Sequence, residues 1–204
     1  MVRLRSLFGP SREEIWRQLS SEIQGRYVEG QGFWKGDRVE ATHHAWTVTL
    51  DQYVVSTGEV TIPYTRFRAP YVNPSGFRFR IYRRSRLSGL GKMMGMQDLE
   101  IGEAAFDEAF IIQGHDGSKI RHLLSNRRIR ELIAAQPEIE FSVKDDEGWF
   151  GPKFPEGVDE LHFLAHGIVK DVTRLKQVYA LFAEVLDELC RMGAAYETDP
   201  HVSL

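Results

Sequence analysis

The sequence predicts an α+β fold: a largely antiparallel sheet, helices packed on one of its faces, and a long C-terminal amphipathic helix. Three observations predict it. A capping box opens the first helical period, the middle of the chain alternates with period two, and residues 171–193 carry a sustained apolar stripe three and four apart. In domain terms the reading is residues 1–95, a helix plus an antiparallel β-meander, and residues 96–204, an α+β half with the closing helix. The two halves are also compatible with one compact domain.

Ser11-Arg-Glu-Glu14 is the capping box, and Ile15, Trp16, Leu19 and Ile23 follow at helical spacing before Gly25. A helix over residues 12–24 is predicted. From Tyr27 the period becomes two. Residues 37–42, 46–55, 60–69 and 77–82 read as strands, the last two joined as a hairpin by Pro70-Tyr-Val-Asn-Pro-Ser-Gly76. Residues 88–95 form a glycine-rich break. Residues 109–113 are a short strand, residues 118–124 and 126–136 are one broken helix or two short ones, and Pro137 closes them. Residues 139–143 and 161–169 read as strands. In the closing helix Asp171 is the cap, Gly193 the stop, and Leu175, Val178, Phe182, Val185, Leu189 and Met192 the stripe, widened by Leu181 and Leu186.

At 204 residues the chain is long enough to bury a core, and 42% hydrophobic with 27% charged residues is the composition of a globular protein. A single cysteine, Cys190, excludes an internal disulfide and fits a reducing compartment. No apolar run has the length of a signal peptide core or of a membrane span. A soluble, cytoplasmic protein is expected.

Charge is the most informative feature for function. Between Val60 and Gln97 stand Arg66, Arg68, Arg78, Arg80, Arg83, Arg84, Arg86 and Lys92 with no acidic residue, a window of +8. The whole chain is −3, so the remaining 18 basic against 29 acidic residues give −11. Strand alternation places Arg78, Arg80 and Tyr82 on one face, and an even-sum hairpin register adds Arg66 and Arg68. Guanidinium forks match carboxylates and phosphates, so this face reads as a platform for an acidic protein or an anionic lipid headgroup. The overall isoelectric point of about 6.2 argues against nucleic acid. The competing structural reading pairs these arginines with the eight acids of residues 138–160.

Other motifs yield less. Gly89-Leu-Gly-Lys-Met-Met-Gly95 lacks the spacing of a phosphate loop. His162 and His166 would lie about 13 Å apart along a strand, too far for one zinc ion, and His43-His44 would point to opposite faces of one. Asp145-Asp-Glu-Gly148 reads as an acidic turn without a calcium-loop pattern. Asp187 and Glu188 beside Cys190 would raise its pKa. No catalytic residue, metal ligand or cofactor is therefore assigned.

Phe106-Asp-Glu-Ala-Phe-Ile-Ile112, His122-Leu-Leu-Ser125 and Ile129-Arg-Glu-Leu132, followed by a β pair and a closing helix, resemble an uncharacterised bacterial domain family of unknown function. The resemblance covers about residues 106–193. It implies an α+β C-terminal half, with a Phe-x-x-x-Phe strand before a helix carrying a Leu-Leu pair, and it implies no catalytic or ligand residue. The expected function is a non-enzymatic binding or adaptor module with a basic sheet face for an anionic ligand or acidic partner. The alternatives are a homo-oligomeric structural subunit joined by the closing helix (a homodimer) and an enzyme of unrecognised type.

Overall fold

The computed structural model describes residues 9–30, 36–56, 58–84, 97–145, 154–202 and 204. In chain order the elements are α1 (Arg12–Glu22), β1 (Arg26–Val28), β2 (Arg38–His43), β3 (Trp46–Ser56), β4 (Thr61–Val72), β5 (Phe79–Arg83), β6 (Gln97–Leu99), α2 (Ala104–Ala109), β7 (Phe110–Gly114), α3 (Gly117–Ser125), α4 (Arg127–Ala134), β8 (Glu140–Lys144), β9 (Val158–His166) and α5 (Val172–Arg191). The fold is α+β. The nine strands of the described residues form one sheet in the order β1-β2-β3-β4-β9-β8-β5-β7-β6, and every neighbouring pair is antiparallel.

The helix signals act as the residues dictate. Ser11 and Glu14 make the reciprocal capping box. Asp171 accepts from Arg174 N at the start of α5, and Gly193 beyond its end has φ +67°. Asn126 separates α3 from α4, capping the second with its side chain. At the end of α1 the left-handed residue is Gln24, φ +55°, rather than Gly25. Gly25 is needed for space, because a Cβ there would sit 2.6 Å from Glu40 O.

The expected hairpin between residues 60–69 and 77–82 does not form. β4 pairs with β3 and β9, whereas β5 pairs with β7 and β8. The side chain of Asn73 explains the departure: its amide donates to Phe77 O and to Asp159, and its oxygen accepts from Phe77 N. The chain therefore leaves β4 through a loop tied to β9, and β5 is laid down three positions away, beyond β9 and β8. Phe106 lies in α2 and only Phe110 begins the strand. The turn between β2 and β3 gives a second correction. His43 faces Trp46 across the ladder, His44 adopts φ +52°, and both imidazoles converge on Asp187 of α5 instead of pointing apart.

One register row crosses all nine strands: Tyr27, Val39, Leu50, Phe67, Phe163, Phe141, Ile81, Ile112 and Leu99. It faces the helices. Phe182 of α5 packs on Phe67 and Phe141 at ring-centroid distances of 5.9 and 5.7 Å, and the α5 stripe from Leu175 to Leu189 is buried in this same core. Ile15, Trp16 and Leu19 of α1, with Ile120, Leu123, Leu124, Ile129, Leu132 and Ile133 of α3 and α4, complete it.

Candidate functional site: a polar row on the second sheet face

Shifting each strand by one residue reaches the opposite face. The row there reads Arg26, Glu40, Thr49, Arg68, His162, Ser142, Arg80, Gln113 and Asp98, again across all nine strands. Every position is polar or charged. Thr49, Arg68, His162, Ser142, Arg80 and Gln113, its six central members, are nevertheless buried.

The sequence-predicted arginines divide by strand parity. Alternation within β5 keeps Arg80 and Tyr82 on this face as expected; Arg66 and Arg68 lie on it too, but not through the expected hairpin register, because β9 and β8 separate the two strands. Arg66 binds Asp51 through two bonds of 2.8 Å, and Arg68 donates to the same carboxylate. Arg80 pairs with Glu140 at 3.0 Å and lies 5.2 Å from the Tyr82 ring. Just before β5, Arg78 bridges Asp145 at 2.7 Å and Asp159 at 3.1 Å. Arg83, on the opposite parity, donates to Gln136 O and Ala134 O at the end of α4, while Arg84 donates to Glu108 O and Asp107 O at the end of α2. Those two satisfy helix C-terminal carbonyls, where a cation is favourable. Arg86 and Lys92 lie outside the described residues, as does the glycine-rich break.

The pairing of these arginines with acids of residues 138–160 is thus observed for Arg78 and Arg80, while the sequence offered Glu160 only as one of those eight acids and His162 only as a rejected zinc ligand. Glu160 stands two residues from His162 on β9 and opposite Lys144 on β8. Its side chain is fully buried, its nearest Arg68 nitrogen is 4.0 Å away, and neither carboxylate oxygen has a hydrogen-bond partner. Burial pushes this carboxyl up to about 7 against the pull of Arg68, Arg66 and Lys144. Burial also lowers Lys144 and Arg68 and holds His162 well below the usual histidine range. His162 Nε2 is 3.3 Å from Lys144 Nζ, and its Nδ1 has no partner, like Ser142 Oγ and Gln113 Oε1. Glu160 and His162, polar residues on alternate positions of an otherwise largely apolar strand, were the available signal, and their basic neighbours Arg68 and Lys144 need the strand order to be read.

At its β1 end the row opens into a cavity of about 260 Å³ lined by Arg26, Arg38, Glu40, Thr47, Thr49 and Asp199 among others. Glu40 holds both guanidiniums there, Arg26 through Oε2 at 2.6 Å and Arg38 through Oε1 at 2.6 Å. Elsewhere, Cys190 is raised by burial first and by Glu197 and Asp187 next, which keeps the thiol protonated.

No family model matches the chain, and no curated protein matches it. Among solved structures it is similar to the mycobacterial trehalose monomycolate transport factor A, TtfA, with a TM-score of 0.47 and 10% sequence identity, over 87% of this chain and 94% of that one. A likeness at that level assigns neither family nor activity. Among the described residues no helix is long and apolar enough to cross a membrane.

Proposed function

We propose that this chain is a non-enzymatic binding module whose polar sheet face takes up a compact anionic group, a carboxylate or a phosphate carried by a ligand or an acidic partner. The observation that carries the reading is the concentration of buried polar atoms without partners, on Glu160, His162, Ser142 and Gln113, along one sheet face. Each such group costs about 1–3 kcal/mol of desolvation in the free protein. A face that keeps several of them is built for something other than stability. Arg66, Arg68 and Arg80 border this cluster with their forks on Asp51 and Glu140, internal carboxylates that stand where an incoming anion would bind. Below about pH 7 Glu160 takes up a proton, which removes one negative charge from the face and favours an anion.

Titration calorimetry at low ionic strength with inorganic phosphate, with a short polyglutamate peptide and with phosphatidylserine vesicles tests this. Binding to at least one probe is expected, weakened by salt and strengthened by Asp51→Asn by roughly tenfold or more, because one competing charge-assisted bond is gone. Failure of all three probes to bind either wild type or Asp51→Asn sinks the reading.

A further inference from the structure

A second cluster lies at the opposite side of the molecule's chemistry, where the β2–β3 turn meets α5. His43 Nε2 is 2.8 Å from Asp187 Oδ1, and His44 Nε2 is 3.6 Å from the same oxygen. The three ligand atoms all lie within 4.8 Å of one another. Tetrahedral zinc with nitrogen and oxygen bonds near 2.0–2.1 Å places neighbouring donors about 3.3 Å apart, inside the span these atoms already occupy. The other ring nitrogen of His44, Nδ1, faces Glu197 Oε1 at 3.5 Å. Glu197 thus stands at ion-pair distance from the nitrogen that faces away from Asp187, the place that second carboxylates take behind metal-bound histidines.

The turn geometry makes the convergence possible. His44 occupies the left-handed region, φ +52°, at the first position of a two-residue loop, so consecutive imidazoles lie with ring centroids 4.4 Å apart. The side chains remain reachable, being 22% (His43), 50% (His44) and 32% (Asp187) exposed. We propose that His43, His44 and Asp187 bind a divalent first-row transition-metal ion, with zinc as the reference case, and that Glu197 orients His44 from behind. Two imidazoles and one carboxylate suit zinc, copper or nickel rather than magnesium or calcium, which take oxygen donors. Three protein ligands leave a coordination position for water or an exogenous group. The ion would tie the β2–β3 turn to α5 and to the segment that follows it.

Trp46 supplies a local reporter, since its ring centroid is 6.2 Å from both imidazoles. The experiment titrates the full chain with zinc chloride against a chromophoric chelator, and separately with copper chloride while tryptophan fluorescence is followed. One zinc per chain is expected. Asp187→Asn and His43→Ala should weaken it at least 100-fold, Glu197→Gln about 10-fold, and His166→Ala not at all. Copper should quench the wild type, and Trp46→Phe should remove most of that quench while leaving zinc affinity unchanged. His44→Gly keeps a residue that accepts positive φ and removes the imidazole, so it reports ligand loss even where another variant fails to fold. Absence of saturable one-to-one zinc binding, or equal affinity in wild type and His44→Gly, overturns the proposal.

Discussion

The two faces of this sheet are built from the same strands one residue out of step, and they obey opposite rules. The row from Tyr27 to Leu99 is apolar on every strand, and its central members are sealed beneath the helices. The row from Arg26 to Asp98 is polar on every strand, yet six of its members are buried as deeply as the core. Burial alone therefore says little about what a position contributes. On the first face it removes apolar surface from water, and on the second it strands donors, acceptors and charges away from water.

The largest expected effect falls on the apolar row. Phe141 is fully buried and meets Phe79 and Phe182 at 5.5 and 5.7 Å, so Phe141→Ala should cost about 4 kcal/mol in urea denaturation. A cost under about 1 kcal/mol would remove the distinction between the faces.

On the polar row the sign should reverse, and with a pH signature. The Glu160 carboxyl is raised to about 7 from 4.5, so the folded protein binds that proton more readily than the unfolded chain. Its stability contribution is fully present below about pH 4.5 and is lost as pH rises through 7. Glu160→Gln, which imitates the protonated form, should gain about 3 kcal/mol at pH 8 and nothing at pH 4.5. Equal gains at both pH values, or a loss at pH 8, would show that the carboxylate is accommodated better than its surroundings indicate.

The smallest effect sharpens the same contrast. Ser142 Oγ is buried without a partner, so Ser142→Ala should stabilise by about 1 kcal/mol. The proposed role requires that this variant also bind anions more weakly. Greater stability with unchanged anion binding would mark the hydroxyl as a bystander.

Local signals carried much of the fold. The capping box at Ser11, the interruption after residue 124 and the stripe of α5 depend on residues within one or two turns, and the structure has each, with Asn126 standing between two separate helices. Period-two runs placed most strands within a few residues. The three-residue strands β1 and β6 are too short to show a period, and α2 has only six residues. Pairing was illegible for a different reason: Asn73 commits its side chain to Asp159, 86 residues away, and so redirects β5. The candidate site shows the same split. Alternation put Arg80 and Tyr82 on one face, but the hairpin register expected to add Arg66 and Arg68 does not form, and the positions of Glu160, Ser142 and His162 beside them require the order of β4, β9, β8 and β5. His43 and His44 meet a carboxylate 144 residues distant through a positive φ that a histidine pair does not announce.

The outermost strands, Arg26–Val28 and Gln97–Leu99, span three residues each and carry a charged side chain apiece, Arg26 and Asp98. Lateral annealing of a foreign strand needs a long, flat border of vacant amides and carbonyls, and among the described residues this sheet tapers to a three-residue strand on either flank. Growth by strand addition is thereby discouraged.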